Sequence, residues 1–152
     1  MKLLFILLFT ITIKISPGQS RVFYKADDLA DSLSLNNIKK IKMPLGRLGS
    51  HIQVEYNDGS KKSVRKKEIW GFQSNKKEIF RFDDGNTLIL VDTNAIDIYK
   101  TWARYPVYYY SPDLKSRAIV FSKKSLLKSL GVDEYNRVCK ASSLARRLSK
   151  YL

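Results

Sequence analysis

The sequence predicts an α+β fold, a mainly antiparallel β meander or small open barrel followed by C-terminal helices. Apolar and aromatic residues alternate at period two through residues 68–91, the spacing that places side chains on one face of a sheet. Turn-forming clusters separate these short runs, and beyond residue 121 the apolar spacing becomes helical. Residues 19–152 contain no repeat and no low-complexity linker, so they are predicted to form a single domain.

The first 18 residues have the layout of a cleavable signal peptide. Lys2 precedes an apolar run over residues 3–13, and small or turn-forming residues follow. Such a run is too short to cross a hydrocarbon core of about 30 Å. The preferred cleavage follows Gly18, and cleavage two residues later is the second choice. We therefore expect export to the periplasm, the cell envelope or the medium.

The first half of the domain is predicted to be mainly strands, at residues 22–24, 38–43, 52–56 and 60–65. Acidic residues near position 27 begin a short helix. Pro44 ends the second strand because proline cannot donate to a ladder. The Asp58-Gly59 pair suits a tight hairpin between the last two strands.

The meander over residues 68–91 should form the core, with Gly71 marking a bulge or a close backbone approach. A second Asp-Gly turn lies at 84–85. The apolar residues predicted to share one face are Trp70, Phe72, Phe80, Phe82, Leu88 and Leu90. Further strands are expected at 96–100, 107–110 and 118–121, and the prolines on both sides of 107–110 favour an edge position for that strand.

Residues 122–152 are predicted to be helical. Ser122 is an N-cap for a short helix, Gly131 ends that helix, and a second helix begins at Asp133 or Glu134 and continues to residue 151. The second helix should dock on the sheet through its apolar stripe and bury Cys139, the single cysteine of the chain.

Charge is the clearest functional signal. The chain holds 28 Lys and Arg against 14 Asp and Glu, and without the leader, which contains Lys2 and Lys14, the net charge is +12. Such a surface attracts anionic partners, and for an exported protein these are envelope glycans or lipids rather than nucleic acid. The candidate anion-binding residues are Lys61, Lys62, Arg65, Lys66, Lys67, Arg146, Arg147 and Lys150. Tyr108, Tyr109 and Tyr110 form a candidate aromatic surface.

The residue types that catalysis needs are sparse. His51 and Cys139 are the only histidine and cysteine, and they lie on separate predicted elements, which favours structural roles. No metal site or cofactor is predicted. A non-enzymatic binding or structural module is therefore favoured. The alternative is a small hydrolase of envelope polymers that uses paired carboxylates among Asp83, Asp84, Asp92 and Asp97.

Several short motifs follow one another in a characteristic order from Ala26 to Lys128. They are ADDL, KKEIWGF, Phe80-Arg81, IDIYK, YYYSPDLKS and SKKSLLK. In this order the chain resembles a loosely defined family of short, exported, uncharacterised proteins from Gram-negative bacteria. The resemblance implies an exported domain and carries no catalytic residue.

Overall fold

The computed structural model of the protein describes residues 20–30, 37–43 and 49–151. The predicted leader, the second half of the predicted first helix and the strand end at Pro44 lie outside these residues. The described residues form mostly antiparallel sheet with two C-terminal helices, which confirms the predicted α+β class. The strands make two sheets rather than a barrel. No helix in these ranges has the length and apolar character needed to span a membrane.

The large sheet contains seven of the described strands, in the order β1-β5-β6-β7-β8-β9-β10. They are β1 (Arg21–Phe23), β5 (Gly71–Gln73), β6 (Ile79–Asp83), β7 (Asn86–Asp92), β8 (Asp97–Thr101), β9 (Tyr108–Ser111) and β10 (Ile119–Val120). The small sheet is a meander of β2 (Ile38–Lys42), β3 (His51–Tyr56) and β4 (Lys61–Arg65). It is inserted between β1 and β5, which pair with each other.

One hydrophobic cluster joins the two sheets. Ile52 and Val54 of the small sheet share it with Phe72, Phe80 and Ile89 of the large sheet, and all five are buried. The rings of the two phenylalanines stack at 4.7 Å between centroids. This cluster confirms that the meander carries a core.

The predicted common face is wrong for Trp70 and for the two leucines of β7. The Trp70 ring contacts Phe23 and Arg81, which lie on the face opposite Phe80. The two-residue turn at 84–85 pairs Asp83 with Asn86, and therefore Phe80 with Ile89. Side chains alternate along a strand, so Leu88 and Leu90 lie on the face opposite Ile89. Leu88 is nevertheless buried, because this part of the sheet is covered on both faces.

Gly71 is required by a close backbone approach, as the sequence predicts. A Cβ atom on residue 71 would lie 2.0 Å from the carbonyl oxygen of Phe80 on the neighbouring strand. No side chain can be accommodated at that distance. Gly71 pairs with Arg81 in regular register, so the alternative of a bulge is not needed.

The helices α1 (Lys123–Ala141) and α2 (Ser143–Tyr151) pack on the other end of the large sheet. Ile98 and Tyr110 of the sheet share a buried cluster there with Leu126, Val138 and Ala145 of the helices.

The helix signals are partly confirmed. The Ser122 hydroxyl accepts a hydrogen bond from the amide of Ser125 at 3.0 Å, which caps α1. Gly131, at φ 77°, interrupts α1 where the sequence predicts a stop. Cys139 is half-buried rather than buried.

The predicted single helix from 133 to 151 is wrong, because the chain breaks it at Ser142. Ser142 is extended, and its buried hydroxyl donates to Asp92 at 2.5 Å and accepts from the amide of Ala145 at 2.9 Å. Ser142 thereby caps α2 and fastens it to the end of β7.

The predicted edge position of the tyrosine-rich strand is also wrong. β9 lies between β8 and β10, and β10 forms the edge. Pro106 and Pro112 fall just outside β9, so neither proline has to donate to the ladder and both neighbours can pair.

Candidate functional site

The outward face of the small sheet is rich in cations. Ile52 and Val54 point into the core, so the alternate positions of β3 and their partners on β2 and β4 point outward. We call this surface the basic face. Its members are Lys40, Lys42, His51, Gln53, Glu55, Lys61, Ser63 and Arg65.

Glu55 is the single carboxylate on the basic face. Lys39, beside the irregularity in β2, lies 3.2 Å from its Oε1 atom. The hydrogen bond from Lys39 lowers the pKa of Glu55, and the charges of Lys42 and Lys61 lower it further. The register pairs Glu55 with Lys40 of β2 and with Lys61 of β4, so cations from both flanking strands lie beside the middle of this face.

A cleft of about 790 Å³ opens at one edge of the basic face, between β4 and the β6–β7 turn. We call it the β4 cleft. His51, Arg65, Lys66 and Lys67 line one side, and the apolar part of its lining includes Phe82. The Nζ atom of Lys66 lies 5.3 Å from the centroid of the Phe82 ring, and burial lowers the pKa of Lys66. A cation held this way is partly dehydrated and is screened less by solvent.

The carboxylates across the β4 cleft are already engaged. Asp83 accepts a hydrogen bond from the amide of Ala118 at 2.8 Å, and its Oδ1 atom lies 3.6 Å from Nη2 of Arg81. Asp84 forms an ion pair with Arg117. Both aspartates therefore have a structural role: they hold the loop after β9 against the β6–β7 turn.

The four carboxylates considered for hydrolysis are distributed over three places. Asp83 and Asp84 line the β4 cleft, whereas Asp92 accepts hydrogen bonds from Asn94 and Ser142 beside the helices. Asp97 lines a different cleft. Only Asp83 and Asp84 share a cleft, and each is already engaged in a hydrogen bond or an ion pair.

The predicted cations fall into separate groups. Lys61 and Arg65 belong to the basic face, and Lys66 and Lys67 line the β4 cleft with Arg65. Lys62 pairs with Val54, so its position faces the other side of the small sheet although it is exposed. The remaining candidates are exposed on α2, which packs in the other core cluster; they are Arg146, Arg147 and Lys150.

The predicted tyrosine surface does not form as a row. Tyr110 is fully buried and donates its hydroxyl to the carbonyl of Ser125, while Tyr108 and Tyr109 are half-buried. Two strongly exposed rings, Trp102 and Tyr105, lie instead in the β8–β9 loop, where Arg104 lies over the Tyr105 ring.

The opposite face of the large sheet is organised around Arg81, which is 3% exposed. Its guanidinium donates to the hydroxyl of Tyr99 at 2.9 Å and to the carbonyl of Ser116 at 2.6 Å. It also lies over the ring of Trp70, whose Nε1 donates to the carbonyl of Leu114 at 2.9 Å. Arg81 and Trp70 thus hold the loop of residues 112–118 against the sheet.

A second cleft, of about 510 Å³, lies beside that loop, and we call it the acidic cleft. Asp27, Asp97 and Asp113 line it, together with one cation, Lys115. Lys115 pairs with Asp27 at 2.9 Å. Asp97 is 8% exposed, and among the described residues its carboxylate has no hydrogen-bond or ion-pair partner.

Sequence reasoning missed the acidic cleft and the role of Arg81. Asp27, Asp97 and Asp113 are far apart in sequence, and only the sheet order brings them together. One local signal was present: Arg81 lies between Phe80 and Phe82, and Asp97 lies between Ile96 and Ile98. Comparison of the chain with protein-family models, curated proteins and solved structures finds no match.

Proposed function

We propose that the chain is an exported, non-enzymatic binding module that uses the basic face and the β4 cleft to hold an anionic polymer of the cell envelope. The observation that carries the proposal is the register of the small sheet. It collects Lys40, Lys42, Lys61 and Arg65 on one exposed surface that contains a single carboxylate.

The shape of this surface favours a polyanionic glycan over a lipid bilayer. The outward positions of the small sheet carry polar or charged side chains, whereas insertion into a bilayer uses exposed large apolar residues. An extended polymer could lie across the three strands and place one anionic group in the β4 cleft, against Lys66. Contacts of this kind weaken as salt screens them.

The test compares two variants with equal loss of charge. One replaces Lys40, Lys42, Lys61 and Arg65 with Gln, and the control replaces Lys128, Arg146, Arg147 and Lys150, which are exposed on the helices. Binding to polygalacturonate and to anionic phospholipid vesicles is measured at about 20 and 500 mM salt, with neutral dextran as the reference polymer.

We expect salt-sensitive binding to polygalacturonate that falls at least about tenfold in the basic-face variant, since each cation near an anionic surface contributes about 1 kcal/mol. The helix variant should keep most of its affinity. Equal losses in both variants would mean that net charge alone drives binding, and the proposal would be wrong. Binding to vesicles alone would contradict the glycan assignment.

A further inference from the structure

The acidic cleft is a local reversal of charge in a protein whose formal net charge is +14. Three carboxylates face one ammonium group there, and that ammonium group is already paired with Asp27. The backbone amides of Lys115 and Ser116 donate to Oδ1 of Asp113, at 2.8 and 2.7 Å. These bonds fix the Asp113 carboxylate at the edge of the cleft.

Asp97 is the residue that these contacts leave without a partner. Its strand position places it beside buried Ser111 and on the same face as Tyr99 and Arg81, yet none of these groups reaches it with a hydrogen bond. A buried ionisable group of this kind normally has a partner, because dehydration without one is costly. Its small residual exposure is into the acidic cleft, so the missing partner can come from a ligand.

We propose that the acidic cleft binds the end of an alkylammonium chain, with Asp97 and Asp113 receiving the ammonium group. The non-polar part of the lining supports a methylene chain, which packs on apolar surface while its charged end reaches a polar partner. That part consists of Ala26, Ala95, Ile96, Pro112 and Leu114. A metal ion is not favoured, because the described residues contain no group of three suitable ligands that could hold one.

A free diamine and a lysine side chain of a peptide carry the same recognised group. Cadaverine and Nα-acetyl-lysine-methylamide are therefore titrated separately into the 15N-labelled protein at pH 7.5, and amide shifts are followed by NMR. 1-Pentanol, which has the chain without the charge, is the negative probe. We expect saturable shifts at Thr93, Ala95 and Asp97 from at least one amine and none from the alcohol. Which amine binds more tightly identifies the source.

Asp97→Asn keeps the shape of the side chain and removes its charge. It should lower amine affinity by about tenfold or more, because it takes away a largely buried charged partner. Asp133→Asn, which removes an exposed charge on α1, should leave the affinity unchanged. The NMR spectrum of each variant shows whether it is folded.

The pH dependence supplies a second measurement on the unmodified protein. The groups that act on Asp97 are Arg81 from β6, Tyr99 from its own strand and Asp113 from the loop, and Asp27 and Lys115 also line the cleft. Burial raises the pKa of Asp97 to about 6, so amine affinity should increase as the pH rises from 5 to 7.5. Bound amine should lower that pKa. Absence of saturable shifts with both amines, or an Asp97→Asn variant that binds as tightly as the parent, would overturn the proposal.

Discussion

The basic face and the acidic cleft show how two regions of one chain acquire opposite ligand preferences. On the basic face, alternate positions of three paired strands place cations outward, and a single glutamate lies among them. In the acidic cleft, a sheet, a loop and a short 3-10 helix over Ala26–Leu29 bring three aspartates together. The positive net charge of the chain predicts the ligand preference of the basic face but not that of the acidic cleft. Short-range contacts depend on the local arrangement of charge, which differs between the two regions.

Trp70→Ala should have the strongest effect and should impair the acidic cleft while leaving the basic face intact. The ring is half-buried against Phe23 and Arg81, and its Nε1 fixes the carbonyl of Leu114 in the loop beside the acidic cleft. We expect a loss of about 3 kcal/mol in the free energy of unfolding, at the low end for a large aromatic residue. Amine binding should weaken, while polyanion binding by the folded protein persists.

Trp70→Phe is the matched control in urea unfolding. It keeps an aromatic ring beside Phe23 and removes the Nε1 donor, so it should cost about 1 kcal/mol. If both variants unfolded at the same urea concentration as the parent, Trp70 would have no part in holding the loop.

The next effect is electrostatic and concerns Asp97→Asn. The carboxyl has a pKa of about 6 when folded against an ordinary value of 3.8, so the folded chain holds this proton more tightly than the unfolded chain. The stability contribution of Asp97 is therefore lost as the pH rises from about 4 to above 6. The free energy of unfolding of the variant minus that of the parent should therefore be up to about 3 kcal/mol larger at pH 8 than at pH 4.

Asp113→Asn should behave in the opposite way. Hydrogen bonds from the backbone amides of Ser116 and Lys115 lower the pKa of Asp113, so its stabilising contribution is present at neutral pH and is lost as the pH falls through the folded pKa. Chemical unfolding at pH 4 and pH 8 measures both variants. Parallel stability curves for Asp97→Asn and the parent would show that Asp97 is not dehydrated in the folded chain.

A weaker effect is expected on the basic face. Glu55→Gln removes the single carboxylate from the basic face and releases Lys39 from its ion pair. Affinity for polygalacturonate at low salt should rise about twofold to fivefold, and the gain should disappear at high salt. Glu134→Gln, on α1, is the control, since it removes an equally simple ion pair with Arg137 far along the chain. An equal gain in the control would indicate an effect of net charge.

The elements of the fold could be predicted wherever their signals are local. The Asp84-Gly85 turn and the stop at Gly131 each follow from the conformational needs of a few neighbouring residues. The close approach at Gly71 was indicated by a single glycine within an aromatic strand. The break at Ser142 was missed because its cause is a contact with Asp92, which lies 50 residues earlier. The edge position of the tyrosine-rich strand was wrong for a similar reason, since only the pairing with β10 decides it.

The candidate sites also differ in whether the residues that form them are close together in the sequence. Lys61 and Arg65 could be proposed from one basic stretch, because two positions of one strand that alternate share a face. The acidic cleft could not, because Asp97 and Asp113 meet only after β8 and β9 have paired and the loop has folded back. Arg81 has an additional difficulty. A buried arginine has the same sequence signature as an exposed one on the solvent face of a strand.

The insertion of the small sheet between β1 and β5 also determines the order in which the chain can fold. Arg21 pairs with Gln73, so this contact closes a loop of about 50 residues, whereas the hairpins within each sheet close over a few. Local hairpins form early and distant pairings late. In a chain exported from its N-terminus, as we propose, β1 would emerge first and dock among the last. β1 would then have to wait for β5 until residues 71–73 have crossed, about half-way along the chain, and in that interval its unpaired edge is open to mispairing with another chain.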